Sequence, residues 1–291
     1  MNQLVFTIGP VHRTAAIVLA GGRSSRMGSP KAALDWHGST LLRRVTGIVA
    51  RSVDGPVVAV HAPGQQLPDL DPAVELVADA REGRGPLEGL AAGLAAIGDR
   101  AEVAYVSSTD VPLLHPAFVR AVVGAFTNEV DVILPEIGGH GQPLAAAYRL
   151  GLLGLVEELI AADRLRPAFL FERCRVLRLS DQAMLRDGAV ARLDPGLGSV
   201  SNLNEPADYE RAHALSAPEI RTERFGTLAP PAGSARETVR AWTLGGVAAA
   251  VGLSLDEHVV ATLNGDQVRH EAELPLAAGD AVAFMATDAG R

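Results

Sequence analysis

Along the first 215 or so residues, short apolar runs alternate with stretches of helical spacing, and that alternation constrains the fold more than anything else in the chain. AAIVLA (15–20) is continuously apolar and runs into a glycine-rich loop, which reads as a strand buried on both faces. STLLRRVTGIVARS (39–52) has helical spacing, with Ser39 or Thr40 available as a cap. VVAVH (57–61) and VELVA (74–78) read as strands, and PLEGLAAGLAAIG (86–98) as a helix opened by proline. The pattern continues with VAYVSS (103–108), HPAFVRAVVGAF (115–126), DVILPE in the 130s, PLAAAYR (143–149) and a helix near 150–162. VLRLS (176–180) and the helix EPADYERAHAL (205–215) close it. Such alternation predicts a mostly parallel, Rossmann-like sheet with helices on both faces. The composition shifts near Ser216–Pro218. Beyond it, TLGGVAAAVG reads as a helix, HVVATLNGD carries an Asn-Gly turn, and AVAFMA reads as a strand. The predicted organisation is an extension over 1–14, an α/β domain over 15–216 and a small α+β domain over 219–291.

Composition narrows the function classes. Apolar residues make up 48% and charged residues 21%, enough for a large core. No apolar run of about 18 residues appears, so no membrane helix is expected. The start of the chain lacks the basic residues and sustained apolar stretch of a signal peptide. The only cysteine, Cys174, excludes an intrachain disulfide, and a cytoplasmic location is expected. A net charge of −8 argues against nucleic acid as a partner, although it leaves room for a small polyanion met by local positive charge. The histidines are scattered and show no metal-ligand spacing.

That local positive charge sits in LAGGRSSRMGSPK (19–31). Gly21, Gly22 and Gly28 free backbone N–H groups to turn toward an anion. Arg23, Arg26 and Lys31 place three cations on the same loop, and Lys31 is the sole lysine among 26 basic residues. A compact ammonium on a flexible stem, kept where arginine has replaced lysine everywhere else, points to a role a planar guanidinium cannot fill. The loop is neither G-x-G-x-x-G nor Walker A, since Ala32 follows the lysine. Asp110 stands where the apolar run 103–108 ends in a proline-containing loop, a place for function in open α/β sheets and for a Mg²⁺-binding carboxylate. A loop cap is the plainer reading of Asp110.

LAGGRSSRMGSPK resembles the signature loop of the nucleotidyltransferases that modify the molybdenum cofactor, in particular their guanylyltransferase branch. Four further segments resemble later motifs in the same order: GPLEG (85–89), STDVPLL (108–114), GQPLAAAYR (141–149) and NLNEPADY (202–209). The resemblance implies transfer of GMP from GTP to the terminal phosphate of molybdopterin with release of pyrophosphate and Mg²⁺ as cofactor. It implies catalytic roles for Arg26, Lys31 and Asp110, with Asp110 on the metal. Leu19, Ala20, Gly21, Gly22, Arg23 and Gly28 would contact the nucleotide, together with Asp79, Gly85, Asn202 and Asn204. Gly85, Pro86 and Gly89 would close over the base or ribose, with helix entry an alternative reason for Pro86, and a helix N-cap is an alternative role for the asparagines. Cytidylyltransferase relatives usually carry Ala-Ala-Gly where this chain has Ala20-Gly21-Gly22, and the added glycine favours GTP over CTP. A sugar- or polyol-phosphate nucleotidyltransferase and a non-catalytic carrier or scaffold remain alternatives.

The last 70 or so residues resemble a β-grasp sulfur carrier, such as the small subunit of molybdopterin synthase or its thiamine-pathway cousin. RFGTLAPPAG, TLGGVAAAVG, VVATLNGDQV and LPLAAGDAVAFM carry the likeness. It implies docking to other proteins of molybdenum-cofactor synthesis. Such carriers end in Gly-Gly, whereas this chain ends Ala289-Gly290-Arg291, so sulfur carriage is not expected.

Overall fold

The computed structural model describes residues 12–21, 30–79, 84–230, 235–269 and 271–287. The predicted extension over 1–14 therefore lies almost wholly outside the described residues, as do Gly22, Arg23, Arg26, Gly28 and the tail 288–291.

The first sheet is built from β1 (Thr14–Leu19), β2 (Val57–His61), β3 (Val74–Ala78), β4 (Val103–Ser108), β5 (Val132–Ile137), β6 (His140–Gly141), β7 (Ala145–Arg149) and β8 (Val176–Ser180). Its order is β3-β2-β1-β4-β7-β5, with β8 and the short β6 paired to β5. β1 is parallel to both β2 and β4, β2 to β3, and β5 to β8. β7 runs antiparallel between β4 and β5. The helices are α1 (Leu41–Ala50), α2 (Pro86–Ile97), α3 (Pro116–Gly124), α4 (Leu153–Ala161), the short α5 (Pro167–Phe171), α6 (Asp181–Met184) and α7 (Gly188–Leu193), and finally α8 (Pro206–His213).

β1 shows why a continuous apolar run was needed. Ala15 and Ile17 face one way, into a core with Leu87, Leu90 and Leu94 of α2 and Val156 of α4. Ala16 and Val18 face the other way, against Leu42, Val45 and Ile48 of α1 and Phe118 of α3. Thr40 caps α1, its side chain accepting from the N–H of Arg43. The chain runs outward from β1 through β2 to β3, then crosses back so that β4 pairs on the other side of β1. The carboxyl ends of β1 and β4 thus flank the topological switch point, where open α/β sheets hold their ligands.

The second sheet begins at Glu219. It contains β9 (Glu219–Phe225), β10 (Arg236–Arg240), β11 (Val259–Leu263), β12 (Asp266–Val268) and β13 (Ala281–Ala286), in the order β10-β9-β13-β11-β12. β13 and β9 are parallel at its centre and the outer pairings are antiparallel. α9 (Leu244–Ala250), capped by Thr243, buries Leu244 and Val247 against Ile220, Val282 and Phe284. The expected Asn-Gly turn joins β11 to β12, with φ of +55° at Asn264 and +100° at Gly265. Ala277, from the loop before β13, packs into the core of the first sheet. Among the described residues no helix is long and apolar enough to cross a membrane.

Candidate active site

At the carboxyl end of β4 the chain turns through Ser108, Thr109 and Asp110. Thr109 is buried, and its hydroxyl donates to the carbonyl of Leu19 at 3.0 Å, tying the end of β4 to the end of β1. Ser108 Oγ donates to Asp110 Oδ1 at 2.6 Å, and Lys31 Nζ donates to Asp110 Oδ2 at 2.7 Å. The side chains of Lys31 and Asp110 are only 22% and 17% exposed. The carbonyl of Asp110 accepts from the N–H of Leu203 at 2.9 Å, which fixes Asn202 and Asn204 beside it.

These groups open on a cavity of about 760 Å³ lined by Leu19, Ala20, Gly21, Lys31, Asp79, Gly85, Asp110, Asn202 and Asn204. Every described residue assigned to the site from sequence therefore lines one cavity. Arg26, Arg23, Gly22 and Gly28 lie outside the described residues. Sequence reasoning did not single out Ser108, Thr109 or Gln142 individually, although all three sit inside segments it had marked. Gln65 was missed altogether. Its side chain accepts from the N–H of Ala62 and donates to the carbonyl of Ala20 at 3.0 Å, bracing the loop after β1 from β2. No periodicity or motif signals such a brace.

Two local readings are settled. Gly85 is the N-cap of α2 with φ of +111°, a conformation that favours glycine, and Pro86 takes the first helical position. Gly85 thus has a backbone reason as well as a place on the cavity wall. The N-cap of α8 is Glu205, not an asparagine: Asp208 accepts from the N–H groups of Asn204 and Glu205 at 3.0 and 2.9 Å in a capping box. Those bonds, with Arg211 and then Lys31 adding to them, hold the Asp208 carboxyl below its usual range. The correction leaves both asparagine side chains uncommitted to the cap. His140 is exposed and bonds back to the carbonyl of Gly138. Burial pushes the Cys174 thiol up to about 11, which makes it a poor nucleophile. Among the described residues no group of three or more His, Cys, Asp or Glu side chains is placed to hold a metal ion.

A parallel sheet whose switch-point crevice presents an ammonium, a carboxylate and glycine-bearing loops has the architecture of an α/β enzyme that handles nucleotide phosphates. The chain matches the MobA-like NTP transferase domain over residues 16–176, more than half its length, and it belongs to that family of nucleotidyltransferases. It is 30% identical over 199 residues to a molybdenum cofactor guanylyltransferase from Desulfosudis oleivorans, covering 68% of this chain and 93% of the relative. A probable molybdenum cofactor guanylyltransferase from Mycobacterium avium is 37% identical over 151 residues, covering 50% of this chain and 75% of the relative. The fold matches the crystal structure of molybdopterin-guanine dinucleotide biosynthesis protein A from Archaeoglobus fulgidus. That match has a TM-score of 0.55 and 20% identity, and covers 68% of this chain and 96% of the other.

Proposed function

We propose that this enzyme transfers GMP from GTP to the terminal phosphate of molybdopterin as a step in molybdenum-cofactor synthesis in the cytoplasm. The observation that carries the reading is the Lys31–Asp110 pair at the crevice between β1 and β4, in a chain whose relatives bear the guanylyltransferase name. A phosphate oxygen of molybdopterin attacks the α-phosphorus of GTP. The bond from that phosphorus to the bridging oxygen breaks, and pyrophosphate leaves. The attacking oxygen is already ionised at neutral pH, so alignment and charge neutralisation are what the protein must supply.

Lys31, with Arg26 and Arg23, neutralises the triphosphate. Leu19, Ala20 and Gly21 offer backbone to it, the role the resemblance implies for Gly22 and Gly28 as well, while Asp79 and Gly85, also on the cavity lining, meet the nucleoside. Asp110, the Ser108 hydroxyl and the amide oxygens of Asn202 and Asn204 line the same cavity and would offer Mg²⁺ hard oxygen donors with a single carboxylate. When bound, the cation supplies charge neutralisation to the phosphates. We place the boundary near residue 217 and read the second unit as a β-grasp docking module; its strand order, β10-β9-β13-β11-β12 with α9 packed on it, supports that reading.

Pyrophosphate release by purified protein with Mg²⁺ and molybdopterin, GTP compared with CTP, tests the reading. Release with GTP that falls about 10²- to 10³-fold in Asp110→Asn is expected. Release with CTP alone overturns the choice of nucleotide. No release with either overturns the reading itself.

A further inference from the structure

Arg44, on α1, is 3% exposed and lies where the two sheet-bearing units meet. Its Nε donates to the carbonyl of Pro112, two residues past Asp110. Its Nη1 donates to the carbonyl of Leu276 at 3.3 Å, and its guanidinium lies 4.8 Å from the ring centroid of Trp242. Both of those partners belong to the C-terminal unit, beyond the family match that ends at residue 176. Burial, reinforced by repulsion from Arg51, pushes the Arg44 pKa down to about 9. A buried cation held by two carbonyls and a ring fixes the position of whatever carries those carbonyls, because each lost bond leaves charge unsolvated.

The same tryptophan also packs against the cluster that holds Leu203. Trp242 packs edge-on against the buried Trp36, ring centroids 5.5 Å apart, in a cluster with Leu41 and Leu203. Leu203 is the residue whose N–H bonds the carbonyl of Asp110. The Asp110–Pro112 turn and the Asn202–Asn204 segment thus both rest on residues that Trp242 covers. Ion pairs close the seam around them: Arg43 with Glu271 and Glu273 at 3.1 and 2.9 Å, and Arg51 with Asp280 at 2.8 Å.

We propose that the C-terminal unit is a positioning element of the nucleotidyl-transfer site, acting through Arg44 and Trp242 on the turn that carries Asp110. The proposal rests on the reading of Asp110 given above. Arg44 touches no substrate and acts only through the Pro112 carbonyl. Lysine cannot replace it, since an ammonium does not reach two divergent carbonyls while lying flat on a ring. A misplacement of about 1 Å at Asp110 is enough to cost as much as 10²-fold in rate.

The full chain is tested as Arg44→Met, Trp242→Phe and Arg51→Met. Arg51→Met breaks an ion pair in the same seam but touches neither turn. Two readouts are taken at 25 °C: steady-state pyrophosphate release, and amide hydrogen exchange at Leu203 and Leu114. In Arg44→Met we expect kcat to fall about tenfold or more, with KM for GTP within about threefold, and Leu203 exchange to quicken about tenfold. Trp242→Phe moves both in the same direction by less, and decides the matter if Arg44→Met does not fold. Arg51→Met leaves both near wild type. Equal losses of stability in Arg44→Met and Arg51→Met, with kcat and Leu203 exchange unchanged, overturn the proposal and leave the seam a merely structural joint. If the wild-type protein releases no pyrophosphate, the proposed function fails, while the exchange comparison still decides whether the C-terminal unit positions the Asp110 turn.

Discussion

Replacing Lys31 with methionine keeps the stem and removes only the ammonium. In the wild-type structure Nζ lies 2.7 Å from Asp110 Oδ2, with both side chains about four-fifths buried. Unit charges at that separation attract by about 6 kcal/mol at an effective dielectric near 20. Desolvation of both groups and residual water access cancel most of this, leaving a net coupling of about 1–2 kcal/mol. In Lys31→Met, Asp110 keeps the Ser108 hydroxyl but loses its cation. A divalent ion no longer competes with the ammonium for the carboxylate. Mn²⁺, used as a paramagnetic probe without nucleotide, should therefore bind more tightly by about 5- to 30-fold, the equivalent of that coupling. Transfer should move the opposite way, falling about 10²- to 10³-fold as the triphosphate loses a neutralising charge. Mn²⁺ titration by electron paramagnetic resonance and pyrophosphate release with GTP read the two effects separately. Unchanged or weaker Mn²⁺ binding would show that Lys31 and a metal do not share Asp110. Transfer within about threefold of wild type would remove Lys31 from the catalytic set.

Gly93→Ala places a methyl 2.6–2.8 Å from three side-chain carbons of Ile17, which is fully buried in β1. The resulting strain of about 1–3 kcal/mol outweighs a helix-propensity gain of about 1 kcal/mol, so the urea midpoint should fall; a rise would show that α2 shifts freely. Gly85→Ala puts a side chain at φ of +111° on the cavity wall, at a cost of about 1–3 kcal/mol, and should raise KM for the nucleotide. His115 must be neutral in the fold, because Nδ1 accepts from the N–H of Ala117 while Nε2 donates to the carbonyl of Ala278 across the seam. Burial accordingly lowers its pKa below the ordinary 6.5, with the Ala278 carbonyl working weakly against that. The unfolded chain then takes up the proton first, so this contribution is complete above pH 6.5 and is lost as pH falls through the folded pKa. His115→Asn keeps a neutral cap and should flatten the decline in urea midpoint between about pH 7 and pH 5; an unaltered slope places the proton elsewhere.

The first sheet was most legible where its strands are buried on both faces. β1, β2 and β4 fall within a residue of where continuous apolar runs put them, and α2 begins at the proline that announced it. The site was legible because its loops carry residue types that folding alone does not explain: the sole lysine, an aspartate closing an apolar strand, asparagines before a helix. The short helices α5, α6 and α7, between residues 167 and 193, left no periodic trace, since segments of four to six residues are too short for a 3.6-residue repeat to register. The antiparallel direction of β7 was equally hidden. Its apolar AAAYR run is that of any strand buried on both faces, and direction is set by the connection, not by composition.

Arg44 shows where a sequence reading stops. In LLRRVTGIVA it looks like one of two adjacent solvated cations on the polar face of an amphipathic helix, and Arg43 partly fits that description. Yet Leu41, Leu42, Arg44, Val45, Thr46, Ile48 and Val49 are all buried, more of the circumference than one apolar stripe supplies. α1 is therefore covered on two sides, by the first sheet and by the C-terminal unit, and an arginine at the second contact is invisible until both surfaces are known. That second covering also changes what the C-terminal unit is to the enzyme. A tethered carrier would leave α1 with a solvated face and need no buried cation. A unit that inserts Ala277 into the first core, places Trp242 on Arg44 and shares that guanidinium, through the Leu276 carbonyl, with the Pro112 turn is joined to the first unit beside the site.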